Sequence, residues 1–179
     1  MLFDKINTIL GMIKIKLLSI FCGKKIKIGK NCRIKKDFCI VIDKNSKFII
    51  GDNFRAKYNF KINCLNGGIL KIGNNVFINN NCDITTMKKI EIGNNVLIGH
   101  NLLIIDHDHN YKENIKNYVS NEIKIGNNVW IGANVTILKG VKIGNNVVVG
   151  ANSLICKDFE DNCIITEEKD YNIRRIGEK

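Results

Sequence analysis

Two hydrophobic periodicities divide the chain. Near the N-terminus, Leu2, Phe3, Ile6, Ile9, Leu10, Ile13, Leu17, Ile20 and Phe21 recur at steps of three and four, the repeat of one helix face. An amphipathic helix is predicted there, within an N-terminal cap of residues 1–25. Beyond it the step becomes six. Residues 72–76, 92–96, 125–129 and 143–147 each read Ile-Gly-Asn-Asn-Val, with variants starting at Ile28 and Ile50. Ile125, Ile131 and Ile137 are six apart, as are Ile143, Val149 and Ile155.

A period of six matches no helix face, whose period is 3.6. It fits short strands joined by tight turns. Three hexapeptides make one triangular coil of a parallel β-helix, with aliphatics stacked inward from coil to coil. Asn and Gly supply the corner dihedrals, and the 15 Gly beside no Pro agree with turns made that way. Stacking hides strand edges except at the two ends, one of which the N-terminal helix is expected to cap. The expected organisation is all-β: cap 1–25, solenoid 26–166, tail 167–179.

The glycines also locate a break. Gly93 to Gly99, Gly126 to Gly132 and Gly144 to Gly150 are six apart, but Gly99 to Gly126 is 27, not a multiple of six. An excursion of nine or fifteen residues must leave the solenoid, at about residues 105–121. It contains Asp106-His107-Asp108-His109. A loop extruded from a rigid scaffold is where function is usually carried.

Charge and cysteines narrow the classes. The net charge of +11 invites a nucleic-acid reading. With lysines spaced along the whole chain and aromatics at 7%, a solvated basic surface is the expectation, without a base-stacking platform. Anionic small molecules and lipid headgroups remain compatible partners. The seven cysteines include no Cys-x-x-Cys pair, so buried thiols in a reducing cytoplasm are expected rather than a disulfide framework or zinc ribbon. Lys5, Lys14 and Lys16 interrupt the apolar helix. They favour packing on the protein over an anchor or signal peptide, with peripheral membrane contact as the other reading.

These features together resemble the hexapeptide-repeat acyltransferase superfamily, over about residues 26–164 and most closely over 92–155. There the repeat, the Asp-His-Asp-His loop and the Trp-Ile-Gly-Ala segment at 130–133 follow in the family's order. The resemblance implies a left-handed parallel β-helix, a homotrimer with sites between subunits, and acetyl transfer from acetyl-CoA to a saccharide hydroxyl without a metal. It is closest to the sugar and surface-polysaccharide O-acetyltransferases.

By that resemblance His107 is the general base, since its separation from Trp130 is close to the family's. His109 is the competing candidate, and Asp106 and Asp108 are candidates to orient the imidazole or bind acceptor. A base is needed because a neutral sugar hydroxyl is a poor nucleophile, and an imidazole titrates near ~6.5. Ala133 is implied as the backbone oxyanion donor. Asn79 and Asn81 match a sugar-facing segment, although Asn is also this chain's corner residue. Trp130, Gly132, Gly150, Ala151, Lys157 and Arg174, with Arg175 beside it, are implied near acetyl-CoA. The chain departs from the family where Glu167-Glu168-Lys169 replaces a Gly-x-Pro turn, and where Thr86 or Met87 stands at an acceptor-contacting carboxylate.

Three other functions compete. N-acetylation of an amino sugar would rest less on His107. A zinc hydratase needs three spread ligands, whereas the only histidines, His100, His107 and His109, are close together. A non-catalytic scaffold is the third.

Overall fold

The computed structural model describes residues 2–166. After the helix Leu2–Cys22 and a 3-10 turn at Gly23–Lys25, short strands visit three faces in turn. The first face stacks Ile26–Ile28, Lys47–Ile50, Ile69–Ile72, Lys89–Ile92, Ile123–Ile125 and Lys142–Ile143. The second runs from Arg33–Ile34 to Ile164–Ile165, and the third from Cys39–Ile42 to Leu154–Ile155. Neighbours within each face pair in parallel. The result is the expected solenoid, of about six coils.

Aliphatic columns hold the coils together. Ile50, Ile72, Ile92, Ile125 and Ile143 are in register on the first face. Ile40, Ile62, Ile84, Ile104, Ile137 and Ile155 are in register on the third. All but Ile40 of these are buried, each contributing about 1.5–3 kcal/mol by removal from water. At the corners, thirteen asparagines among the described residues take positive φ, from 51° to 62°. Amide ladders follow two of these corners, one from Asn53 through Asn75, Asn95, Asn128 and Asn146 to Asn162, each Nδ2 donating to the next Oδ1. Asn suits both tasks, since it tolerates the left-handed region and carries a donor and an acceptor.

The hexapeptide is strict only in the later coils. Ile125 pairs with Ile143, a step of 18, whereas Ile26 pairs with Phe48, a step of 22. The difference lies in longer third corners such as the turn closed by Ser46 N–H on Asp43 O. Ile90 pairs with Ile123, a step of 33, so the excursion adds fifteen residues and not nine. It is an antiparallel hairpin, His107–Asn110 against Asn114–Ser120, with a register shift after His109. The loop expected at 105–121 is therefore ordered, because Ile115, Tyr118 and Val119 supply strand-favouring residues.

The N-terminal helix covers the open edge of the first coil, as expected. Asn7, Gly11 and Ile15, four apart, form its buried ridge. Gly11 is required there, since a Cβ would lie 2.0 Å from Ile34 O. Lys14 Nζ donates to Phe38 O, and Lys35 Nζ pairs with Asp4 and donates to Thr8 Oγ1. Asp4 is held below the usual carboxylate range by the Lys35 and Tyr58 hydrogen bonds. By length and composition the helix is apolar enough to cross a membrane, despite its lysines.

The thiols divide. Cys32, Cys64 and Cys82 are buried as expected, but Cys39 and Cys156 are exposed because they fall at outward positions. The tail 167–179, with Arg174, Arg175 and the Glu167-Glu168-Lys169 segment, lies outside the described residues.

Candidate active site

The hairpin leaves the solenoid where an inward column turns polar. On the third face Ile42, Cys64 and Thr86 are in register, and Asp106 follows, fully buried. Thr86 Oγ1 donates to Asp106 Oδ2 at 2.6 Å. The backbone N–H of Met87 donates to Oδ1 at 2.8 Å, and those of Lys88 and Lys89 to Oδ2 at 2.9 Å. Buried polar atoms need such partners, and three successive N–H groups make an anion nest. Asp106 thus ties the corner of one coil to the root of the hairpin. Burial, with Asp106 nearby, pushes the Cys64 thiol up to about 12.

A fifth donor reaches Asp106. His107 Nδ1 lies 3.1 Å from Oδ1, with the imidazole side chain 8% exposed. Toward an acceptor surrounded by four other donors, Nδ1 carries the proton, which leaves the lone pair on Nε2. Tyr118 meets this ring edge-on at 5.4 Å between centroids, and closes the neck together with Asn121 N–H on Asp106 O. Asp106 thereby orients the His107 imidazole. Being fully buried, it does not offer a surface to substrate, which corrects its assignment to acceptor binding.

His109 is held differently. Its Nδ1 donates to Ile115 O at 2.6 Å, its ring lies 4.7 Å from that of Tyr118, and the residue is exposed. Asp108 faces outward and pairs with Lys139 rather than with either imidazole. A cleft of about 720 Å³, lined by Asn66, Met87, Asn110, Lys116, Tyr118 and Ser120 among others, lies beside the hairpin. A larger cleft, about 890 Å³ on the first face, includes none of the predicted site residues.

The remaining candidates gather at another corner. Between the second and third faces, Asn79, Gly99, Gly132 and Gly150 stack in one column through successive backbone bonds. Ala133 and Ala151 follow in the next. Asn81 joins the second ladder there, accepting from Asn59 and donating to Asn101, so the fold itself accounts for this residue. Gly132 also has a structural reason, since a Cβ would meet Ala151 N at 2.6 Å. The corner carries little beyond backbone along Gly99, Gly132, Ala133, Gly150 and Ala151, which leaves a smooth strip. Trp130 adjoins it, 58% exposed on the second face, with its ring outward as expected.

Two predicted neighbours are separated. Lys157 follows the third face, at the corner of the hairpin and Lys139, and lies over the Phe159 ring at 5.7 Å. It is not beside Gly150 and Ala151. Trp130 and Ala133 sit on a different face and corner from His107, so within one chain the candidates form two separate groups. Sequence reasoning missed Thr86 as a partner of Asp106, Tyr118 between the imidazoles, and Lys139. An inward Thr and Asp in a column of aliphatics was the available signal for the first. Among the described residues, no three His, Cys, Asp or Glu side chains converge as metal ligands.

Comparison with known proteins agrees with the repeat and the fold. Residues 122–157 match the family model described as bacterial transferase hexapeptide (six repeats). WbbJ of Escherichia coli (strain K12), assigned to lipopolysaccharide biosynthesis as an O-acetyl transferase, is 31% identical over 80 residues, 45% of this chain and 40% of WbbJ. This chain's match thus spans less than half of that relative's length. AntD, an N-acyltransferase from Bacillus cereus solved with dTDP and 3-hydroxybutyryl-CoA, superposes with a TM-score of 0.70 at 23% identity, over 83% of this chain and 80% of AntD. The hexapeptide-repeat acetyltransferase VCA0836 of Vibrio cholerae O1 biovar eltor, solved with acetyl-CoA, gives 0.58 at 22%, over 89% and 81%. By its repeat, by the match at residues 122–157 and by its three-sided parallel fold, the chain is similar to the bacterial hexapeptide-repeat transferases.

Proposed function

We propose that the protein transfers an acetyl group from acetyl-CoA to a hydroxyl of a saccharide, with His107 as general base. The observation that carries the proposal is the buried Asp106–His107 pair at the root of the hairpin. Asp106 fixes Nδ1 as the donor, so Nε2 accepts the hydroxyl proton as the sugar oxygen bonds to the thioester carbonyl carbon. The tetrahedral oxyanion collapses, the C–S bond breaks, and the imidazolium returns its proton to the departing thiolate. A backbone donor at Ala133 would stabilise the oxyanion, a contribution worth about 3–4 kcal/mol where such donors have been removed.

On this reading the two separated groups of candidates are joined by a second copy. Phe77, Leu97, Trp130, Val148 and Ile164 form an outward column on the second face. Leu97, Trp130 and Ile164 are 52%, 58% and 74% exposed, an apolar stripe suited to burial in an oligomer. In a homotrimer the stripe and its smooth corner on one subunit would face the hairpin of the next. Pantetheine would lie along Gly132, Ala133, Gly150 and Ala151, and the saccharide in the cleft beside Tyr118. Asn79 and His109 are the remaining polar groups for the acceptor. Seven free thiols fit the reducing cytoplasm where this donor would be used.

The test is acceptor-dependent CoA release over a panel of saccharides, comparing the unsubstituted protein with His107→Ala and His109→Ala. Release lost in the first and kept in the second supports the assignment. An amine acceptor that is acetylated equally well without His107 would establish N-acetylation instead.

A further inference from the structure

The N-terminal helix is mounted with its apolar face turned away from the protein. Its buried ridge is Asn7, Gly11 and Ile15. Leu2, Phe3, Ile6, Ile9, Leu10, Ile13, Leu17, Ile20 and Phe21 are each at least 44% exposed, and Phe21 reaches 84%. At about 100° per residue these nine fall within roughly 120° of arc, on the side away from the ridge. Together they exceed the roughly few hundred Å² that a soluble monomer ordinarily leaves open. Lys5 and Lys16 border the apolar arc on one side and Lys14 on the other, while Asp4 points back to Lys35 on the solenoid.

The charge of the whole protein is concentrated at the same end. Residues 1–36 hold ten Lys or Arg and one Asp, and the rest of the chain holds eighteen Lys or Arg against sixteen Asp or Glu. Lysines occur throughout, but the acids that balance them do not. Nearly all of the net +11 therefore sits on the helix and the first coil beneath it, with Lys16, Lys24, Lys27, Lys30, Arg33 and Lys36 exposed.

We propose that this helix docks the protein flat on a lipid surface bearing anionic headgroups. The apolar arc enters the headgroup and acyl boundary, and Lys5 and Lys16 on its free flank meet the phosphates, whereas Lys14 is engaged by Phe38 O. The packed ridge holds the helix parallel to the end of the solenoid, so it lies in the interface rather than crossing it. A second copy could cover the apolar arc, but it would bring the same cationic end against itself. An anionic lipid surface satisfies both the apolar and the charged features.

The experiment is flotation of the full chain with vesicles of phosphatidylcholine alone and with one quarter phosphatidylglycerol. It is repeated with Ile9→Asp/Ile13→Asp/Leu17→Asp and with Lys5→Glu/Lys16→Glu. Circular dichroism and sedimentation velocity run in parallel show that each variant folds and report its size. Association with the anionic vesicles is expected to be at least about tenfold tighter than with neutral ones. It should weaken in high salt and in the lysine variant, and vanish in the triple variant. No association, equal association with both vesicles, or association unchanged in the folded triple variant would overturn the proposal. So would an oligomer that falls apart in the triple variant without vesicle binding by the unsubstituted protein, which would assign the face to a second copy.

Discussion

Replacing Asp106 with asparagine keeps the shape of the side chain and removes one acceptor from a cluster built entirely of donors. Asp106 accepts from Thr86 Oγ1, from three successive backbone N–H groups and from His107 Nδ1. An amide nitrogen at Oδ1 faces Met87 N–H and His107. The ring then has to offer Nδ1 as acceptor, which moves the proton to Nε2 and removes the lone pair that the proposed general base needs. At Oδ2 the amide nitrogen faces two backbone N–H groups, so the Oδ1 placement is the less unfavourable. One buried N–H left without an acceptor costs about 1–3 kcal/mol, and loss of charge-assisted bonding by the others adds to this. A destabilisation of about 2–5 kcal/mol is expected by urea denaturation. Turnover of the folded fraction is expected to fall by about 10²–10⁴, the range for losing general-base catalysis up to that for a wrong imidazole tautomer. His107→Gln should lose as much activity with a smaller loss of stability, because Asp106 keeps its other four donors. Asp106→Asn with undiminished turnover in its folded fraction would refute the role of the pair.

Three further outcomes follow from the fold. Gly11→Ala should destabilise the protein by about 1–3 kcal/mol through the clash with Ile34 O and expose residues 2–22 to protease, although alanine at an ordinary exposed helix position stabilises by about 1 kcal/mol. Asn128→Ala should cost about 1–3 kcal/mol by losing the ladder bonds to Asn95 and Asn146 and the tolerated φ of 56°; Asn128→Gly, which keeps the dihedral, should lose less in the same urea titration. Glu91 is lowered because the hydrogen bonds and charges of Lys89 and Lys71 outweigh burial, which raises it, and Asp161 is lowered chiefly by the Asn145 N–H. A depressed folded pKa gives stabilisation that is present above the ordinary carboxylate value and lost as pH falls through the folded one. The melting temperature should therefore drop below about pH 4, less steeply in Glu91→Gln/Asp161→Asn, as differential scanning fluorimetry across pH would show.

The parts of this molecule written as repeats were the parts legible from sequence. Ile-Gly-Asn-Asn-Val states both what a coil buries and how it turns, so the solenoid and the outward Trp130 were readable from the chain alone. The wide gap between Gly99 and Gly126 located the excursion, but not its hairpin, because Tyr118 and His109 meet only across the two strands. Asp106 looked like any acid on a polar loop. Its burial depends on Thr86 and the turn at 87–89, a full coil earlier, which no local pattern announces. The resemblance implied Lys157 near acetyl-CoA together with Gly150 and Ala151, whereas a solenoid carries residues seven apart to different corners. The helix was read correctly as amphipathic, yet periodicity does not say which face is buried. The small ridge at Asn7, Gly11 and Ile15 decides it.

The central claim is that this fold binds acetyl-CoA and uses His107 to pass its acetyl group on. Calorimetric titration of acetyl-CoA into the protein and into His107→Ala, followed by addition of acceptor to each complex, tests it most directly. Micromolar binding by both, with acceptor-dependent loss of the bound acetyl group only from the unsubstituted protein, is the predicted result. No binding by either, or equal transfer by both, would contradict it.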